Sequence, residues 1–306
     1  MEKESLSKSV VCFGEVLWDV FPNQVKPGGA PMNVAYHLRK FGIDSRMISR
    51  VGADEMGLRL LNLLEQWQIP ANYCLRDTEH VTGQVIAKVM PGNEMEYTIQ
   101  SHAAWDYIQR SEEQEALVAN ADALVFGSLA ARSEISRDTL LRLIEKAKYK
   151  VFDINLRAPF YNSEIVEQLL EKCNLLKMNE NELYLLSQWY LLSADNEATC
   201  VRTLQDRFGI DEVIVTRGGD GAAYYSASEI CSVAAYPVEV QDTVGSGDSF
   251  LAAFLAQKLQ GVAPCESLKY ASALGSFVAS HDGACPAYTL DQLQSFINQK
   301  ETELVL

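Results

Sequence analysis

Long apolar runs, a basic surface and paired cysteine motifs are all missing from this sequence of 306 residues. No apolar run approaches the ~18 residues of a membrane span, so we expect no membrane partner. The chain carries 41 acidic and 26 basic side chains, which excludes nucleic acid as a natural partner because a phosphate backbone needs a basic surface. Seven cysteines without a CxxC pair, and a start without a signal-peptide pattern, predict reduced thiols in a cytoplasmic protein.

Two nucleotide-binding signatures are also absent. The chain has no GxxxxGK[ST] stretch, which excludes a Walker-type nucleotide loop. No GxGxxG follows the first strand-like run, so an NAD-dependent dehydrogenase on a parallel sheet is excluded as well.

Apolar runs alternate with helical patterns along the chain. Six runs rich in Val and Ile have the near-continuous apolar character of strands covered on both faces, at 9–14, 45–52, 121–128, 149–155, 173–179 and 211–218. Helical periods lie at 31–42, 137–148 and 164–173. The alternation predicts one α/β domain over residues 1–306, with a doubly wound, mostly parallel sheet flanked by helices.

Residues 81–107 depart from this alternation. They form two strand-like runs joined by the turn signal "PGNE". Such a β-hairpin in an α/β pattern is typical of a small sheet that covers a site. A plain hairpin at the edge of the main sheet is the alternative interpretation.

The stretch "DTVGSGD" at 242–248 precedes a strong helical pattern. Gly245, Ser246 and Gly247 therefore lie at a helix N-terminus, where free N–H groups and the helix dipole favour an anion. One interpretation makes Asp248 a helix cap beside plain turn residues. The other is a phosphate site in which Asp248 is a base that faces an attacking hydroxyl group.

A second glycine-rich turn, "KPGGAPMNVA", precedes the helical pattern that starts at residue 31. Gly28 and Gly29 give a tight turn, and Asn33 lies early in the helix. The Asn33 side chain can cap the helix or bind the hydroxyl groups of a polyol.

Polar residues follow three of the predicted strands directly. They are Asn155 and Arg157, the stretch 179–182, and the stretch 216–219. In an open parallel sheet, ligands bind at the carboxyl ends of the strands. These groups therefore predict one site at that edge of the sheet.

Over residues 9 to 290, the motifs resemble those of the ribokinase-type (PfkB) carbohydrate kinases, and most of all their fructokinase branch. The family signature D-T-x-G-[AS]-G-D matches 242–248, and the glycine-rich N-terminal signature matches 28–57. The blocks "GEVLWDVFP", "DINLR", "NENE" and "TRGGDG" match as well. Ser246 stands where Ala is more common in the family.

The resemblance implies transfer of the γ-phosphate of ATP to a sugar hydroxyl. Asp248 would be the general base, and the amides of Gly245, Ser246 and Gly247 would form the anion hole. The residues implied to bind the sugar are Asp19, Gly28, Gly29, Asn33, Asn155 and Arg157. Trp105 lies at the end of the hairpin, where its side chain would either face the sugar or anchor the hairpin to the core. The residues implied to bind the nucleotide are Asn179, Thr216, Arg217, Gly219 and Gly221, with the adenine expected near 265–283.

The same resemblance implies two metal ions and a lid. Asn179 and Glu182 match the family's NxxE element, which would organise Mg²⁺ through water. Asp242 and Thr243, with carbonyl groups near Ala279 and Gly283, are a possible K⁺ site. The lid would be a small β-sheet made of about 16–26 and 81–108, and it is a possible homodimer contact.

The resemblance to the fructokinase branch implies fructose as the substrate, and the hairpin favours a free sugar over a sugar phosphate. Lys88 is the one lysine or arginine in the hairpin, whereas a phosphorylated sugar would need more cations. Another free sugar, or a keto-sugar acid such as 2-keto-3-deoxygluconate bound by Arg157, is the alternative within the family. A catalytically silent sugar or nucleotide sensor is the alternative from another class, and the intact turn around Asp248 argues against it.

Overall fold

The computed structural model describes residues 8–89, 95–192 and 196–305. Its strands are β1 Ser9–Phe13, β2 Leu17–Phe21, β3 Gln24–Gly28, β4 Asp44–Gly52, β5 Cys74–Asp77, β6 Gly83–Val89, β7 Met95–Ile99, β8 Ala123–Gly127, β9 Lys150–Asp153, β10 Leu175–Asn179, β11 Glu212–Thr216, β12 Ala222–Ser226 and β13 Ile230–Val233. Its α-helices are α1 Ala30–Lys40, α2 Glu55–Gln66, α3 Glu112–Asn120, α4 Glu134–Lys146, α5 Ser163–Leu170, α6 Glu180–Tyr190, α7 Glu197–Phe208, α8 Ser246–Leu259, α9 Pro264–Ala279 and α10 Leu290–Val305.

The main sheet has nine strands in the order β13-β12-β11-β10-β9-β8-β1-β4-β5. The strands from β11 to β5 pair in parallel, and β12 and β13 add an antiparallel edge. All six strands predicted from apolar runs are present, and the prediction of a mostly parallel sheet is confirmed. The edge strand β13 alternates between half-buried and exposed residues, so it lacked the continuous apolar signal of the inner strands.

Helices cover both faces of this sheet. Val10 and Cys12 of β1 pack into one apolar cluster with α1, α2, α8, α9 and α10, whereas Val11 and Phe13 pack into the other with α3 to α7. Successive side chains of a strand point to opposite faces, so an inner strand must be apolar at every position. The doubly wound arrangement is confirmed.

A second sheet has four strands in the order β3-β2-β6-β7. In it β2 pairs with β3 and β6 with β7 in antiparallel fashion, while β2 and β6 are parallel. The small sheet predicted from the hairpin is therefore present, although the turn "PGNE" lies outside the described residues. After Ile99 the chain returns to the main body, and Ala104–Tyr107 form a short 3₁₀ turn in its core.

One prediction about the cysteines is wrong. Cys231 of β13 forms a disulfide bond with Cys265 at the start of α9. These cysteines lie 34 residues apart, so no short motif marked them as partners. In the described part of the chain, no helix has the length and apolar character needed to cross a membrane.

Candidate active site

A cavity of about 510 Å³ lies between the small sheet and the carboxyl ends of the central strands. Phe21, Val85 and Ile99 of the small sheet form one wall. The opposite wall ends in Gly247 and Asp248 of the "DTVGSGD" turn. Of the predicted site residues, the cavity is lined by Asp19, Gly29, Asn33, Asn155, Arg157, Asn179, Glu182, Thr216, Thr243, Gly245, Gly247 and Asp248.

The turn is built so that only glycine fits at residue 245. Gly245 caps α8 with a φ of 76°, and a Cβ there would lie 2.4 Å from the Cβ of Ala284. Hydrogen bonds among the described residues leave the amides of Gly245 and Gly247 free, whereas the Ser246 amide donates to the Thr243 carbonyl at 3.3 Å. Two of the three predicted anion-hole amides are thus available at the N-terminus of a 14-residue helix.

Asp248 lies in the first turn of α8, and its carboxylate is buried. Its Oδ2 accepts a hydrogen bond of 2.8 Å from Nδ2 of Asn33. Burial raises the pKa of Asp248 to about 6, and the nearby Asp153 adds to the increase. A carboxylate with this pKa is ionised at neutral pH and basic enough to accept a proton from a hydroxyl group in a transition state.

Asn33 does not cap its helix, because the N-cap position of α1 belongs to Gly29. The Asn33 side chain instead binds Asp248 across 215 residues of sequence. Gly29 has a φ of 114°, and a Cβ there would lie 2.3 Å from the carbonyl oxygen of Glu15. The second glycine-rich turn therefore brings α1, and with it Asn33, against the carboxylate of Asp248.

Two further carboxylates lie in the cavity. Glu15, which the sequence analysis missed, is buried, and its Oε2 has no hydrogen-bond partner among the described residues. Burial raises the pKa of Glu15 to about 7. Burial and the charge of Asp242 raise the pKa of Asp19 to about 6. A Cβ on Gly28 would lie 2.3 Å from Oδ2 of Asp19, so Gly28 supports Asp19 and is not part of the cavity lining.

A buried ion pair lies beneath the turn. Nζ of Lys177 on β10 donates to both carboxylate oxygens of Asp153 on β9, at 2.9 and 2.8 Å. A Cβ on Gly247 would lie 3.2 Å from this Nζ atom. Burial alone would lower the pKa of Lys177, but the charge and hydrogen bonds of Asp153, together with the charges of Asp248 and Glu182, outweigh it and raise the pKa. The sequence analysis missed both residues because they lie inside apolar strand patterns.

A second cavity of about 450 Å³ continues from the first on the far side of the turn. The two share Asn179, Thr216, Thr243 and Gly247. The second is also lined by Gly218, Gly219, Gly221, Ser246, Phe250, Ser272, Gly275, Ser276 and Ala279. Four of these lie within 265–283, where an adenine was expected.

Asn179 and Glu182 form a capping box at the start of α6. Oδ1 of Asn179 accepts from the Glu182 amide at 2.9 Å, and Oε2 of Glu182 accepts from the Asn179 amide at 2.8 Å. Oε1 of Glu182 accepts from the Leu156 amide at 2.8 Å. Both side chains line the cavity, and in the described chain no cluster of three or more His, Cys, Asp and Glu could hold a metal directly. This arrangement fits an ion such as Mg²⁺ that keeps most of its waters.

Two residues that were candidates for ligand contacts lie outside both cavities. The Trp105 side chain is fully buried, with the guanidinium of Arg132 3.9 Å from its ring centroid, so it anchors the segment after the hairpin and cannot touch a sugar. Nε of Arg217 donates to Glu197 at 2.9 Å, and this ion pair at the start of α7 holds the side chain outside both cavities.

The chain is similar to known carbohydrate kinases over most of its length. The sequence pattern of the pfkB family carbohydrate kinases matches residues 6–290, and the chain belongs to this family. It is 27% identical over 312 residues to a probable fructokinase-5 of Arabidopsis thaliana, covering 91% of this chain and 93% of that protein.

Solved structures share the fold. A fructokinase with bound ATP from Xylella fastidiosa superposes with a TM-score of 0.87 at 21% identity, covering 97% of this chain and 100% of that one. A fructokinase double mutant from Vibrio cholerae, with fructose, ADP and potassium bound, gives 0.80 at 22% identity over 94% and 98%.

Proposed function

We propose that the protein transfers the γ-phosphate of ATP to a hydroxyl group of a free sugar, and that the sugar is fructose, which yields fructose 6-phosphate. The observation that carries the proposal is the Asp248 carboxylate, which Asn33 orients at 2.8 Å beside the free amide of Gly247. A base and an anion-binding turn at one point are what phosphoryl transfer to an alcohol requires.

The reaction follows from this arrangement. Asp248 takes the proton of the sugar hydroxyl as its oxygen attacks the γ-phosphorus, and ADP leaves toward the second cavity. The free amides of Gly245 and Gly247 stabilise the negative charge that develops on the transferred group. Mg²⁺, held through water by Asn179 and Glu182, would neutralise charge on the phosphates. The small sheet would cover the cavity as a lid and keep water from competing with the sugar.

The charges of the cavity support a neutral sugar. Glu15 and Asp19 are carboxylates in its wall, and both pKa values are raised. Carboxylates accept hydrogen bonds from hydroxyl groups and repel a substrate phosphate or carboxylate. Arg157 favours the alternative, a keto-sugar acid. However, the cavity is lined by five carboxyl groups, those of Glu15, Asp19, Asp153, Glu182 and Asp248, and the other cation, Lys177, is paired with Asp153.

We also propose that two copies of the chain form a dimer through the face of the small sheet that points away from the cavity. Val20 pairs with Val25 on β3 and with Ile86 on β6, so these three apolar side chains share one face. Val25 is 39% exposed and Ile86 is 37% exposed. Contact between two copies through this face would bury them.

The test is ADP release from Mg·ATP with fructose, ribose, mannose, tagatose and 2-keto-3-deoxygluconate, each compared with a sample without sugar. A preference for fructose would support the whole proposal. A preference for another compound would keep the mechanism and change the substrate. ATP binding without sugar-dependent ADP release would contradict the kinase and favour the silent sensor.

A further inference from the structure

Lys26 of the small sheet reaches across the cleft to the "DTVGSGD" turn. Its Nζ lies 3.2 Å from Oδ2 of Asp242 and 2.5 Å from Oδ1 of Asp282. The side chains of Lys26 and Asp242 are 17% and 20% exposed, whereas Asp282 is 72% exposed. The contact with Asp242 is therefore the shielded one, and it spans 216 residues of sequence.

Asp242 holds the turn in place. Its Oδ1 accepts from the Val244 amide at 3.0 Å, and its Oδ2 accepts from the Gly283 amide at 3.1 Å. One carboxylate thus joins the turn to the 282–285 loop, where Ala284 packs against Gly245. Any group that fixes the Asp242 carboxylate also fixes the free amides of the turn.

The Asp242 carboxylate has little capacity left for a metal ion. Two amides and one ammonium group already bind this carboxylate. The side chain of Lys26 also lies within 4.0 Å of the position that a Cβ would take on Gly283. Burial lowers the pKa of Lys26, but hydrogen bonds to Asp282 and Asp242 outweigh it and raise the pKa. The expected K⁺ site at Asp242 and Thr243 does not fit these side chains.

We infer that Lys26 is a positioning residue whose ammonium group supplies, from within the chain, the positive charge that a bound monovalent cation would otherwise give to the turn. Because Lys26 lies on β3, the charge reaches Asp242 only while the small sheet lies over the cleft. Formation of the anion hole is thereby coupled to the position of the small sheet. The inference rests on the proposed function for its catalytic consequence, but not for its effect on cation binding.

The first test compares the wild type with Lys26→Met and Lys26→Arg in potassium, ammonium and tetramethylammonium chloride at equal ionic strength. The wild type should have the same kcat, within about twofold, in all three salts. Lys26→Met should lose roughly tenfold or more in tetramethylammonium, because it leaves Asp242 without its cation, and should regain several-fold in potassium or ammonium. Lys26→Arg should keep most of the activity without a salt effect.

Lys8→Met is the matched control. Lys8 forms an ion pair of the same length, 3.2 Å, with Asp122, next to the start of β1 and far from the turn. Its removal should change neither kcat nor the response to cations. A wild type that requires potassium, or a Lys26→Met variant whose activity no small cation restores, would overturn the inference.

Thermal unfolding without substrates tests the same inference apart from catalysis. A cation that binds only the folded state raises the Tm, so potassium should raise the Tm of Lys26→Met relative to tetramethylammonium and leave that of the wild type unchanged. Equal potassium shifts in both proteins, or none in either, would overturn the inference. If the wild type is inactive as a kinase but potassium still raises the Tm of Lys26→Met alone, the proposed function is refuted and the positioning role of Lys26 stands.

Discussion

Replacement of Asp248 by asparagine should separate catalysis from stability. Asparagine keeps the shape of the side chain and a partner for Asn33, but it cannot accept a proton. Loss of a general base costs about 10²- to 10⁴-fold, so kcat should fall by at least ~10²-fold. In the proposed mechanism this carboxylate does not contact ADP. The affinity for ADP should therefore stay within about twofold of the wild-type value.

The same variant should be more stable at neutral pH. Burial raises the pKa of Asp248 from 3.8 to about 6, so between these values the folded state binds more protons than the unfolded state. Stability therefore falls as the pH rises through this window. The difference of about two pKa units corresponds to ~3 kcal/mol as an upper limit, which Asp248→Asn should recover in part above pH 6.

The pH profile of the wild type provides the assay. The ionised base is the active form, so kcat/KM should rise with pH and level off above about 6, with a loss of about tenfold for each pH unit below that value. Glu15→Gln serves as the control, because Glu15 titrates nearby and its replacement should leave the Asp248 step of the profile in place. Near-normal turnover of Asp248→Asn, or a stability loss without a kinetic defect, would refute the assignment of the base.

Three single variants and one double variant test the walls of the site. Gly245→Ala should cost about 1–3 kcal/mol of stability and most of the activity, because its Cβ would lie 2.4 Å from the Cβ of Ala284 at a φ of 76°. Glu15→Gln should raise the KM for the sugar by about tenfold and leave the KM for ATP unchanged. Lys177→Met should cost about 3–5 kcal/mol, whereas Lys177→Met combined with Asp153→Leu should recover most of that loss.

Chemical denaturation and steady-state kinetics check these expectations. A fully active Gly245→Ala protein would mean that the turn does not need its left-handed residue. An unchanged sugar KM in Glu15→Gln would remove Glu15 from the sugar site. If the free energy of unfolding of the double variant is lower than that of Lys177→Met, the broken ion pair is not the reason that the single variant loses stability.

The main sheet was predictable because its inner strands are apolar at every position, a pattern that helices and edge strands do not share. The strand β13, "ICSV", alternates in exposure and therefore gave no such signal. The Cys231–Cys265 bond was also beyond prediction, because its geometry depends on how α9 packs beside β13 rather than on spacing in the sequence.

The site was predictable where glycine or strand-end position marked it. Gly245 and Gly29 both hold backbone conformations that other residues rarely adopt, and each places a functional side chain nearby. Lys177 and Glu15 escaped prediction because a lone charged residue in an apolar run gives no sign of its partner. The sequence left the position of Trp105 open between the sugar and the core, because the hairpin ends at Ile99 and the chain then turns into the core, a change that composition does not mark.

The most direct test of the account is phosphorus NMR of the wild type and Asp248→Asn, each incubated with Mg·ATP and fructose. We predict that the wild type forms one fructose 6-phosphate for each ADP, and that the variant forms neither at a comparable rate while still binding ADP. Release of inorganic phosphate in place of a sugar phosphate, or equal sugar phosphate formation by both proteins, would contradict the claim that Asp248 activates a sugar hydroxyl.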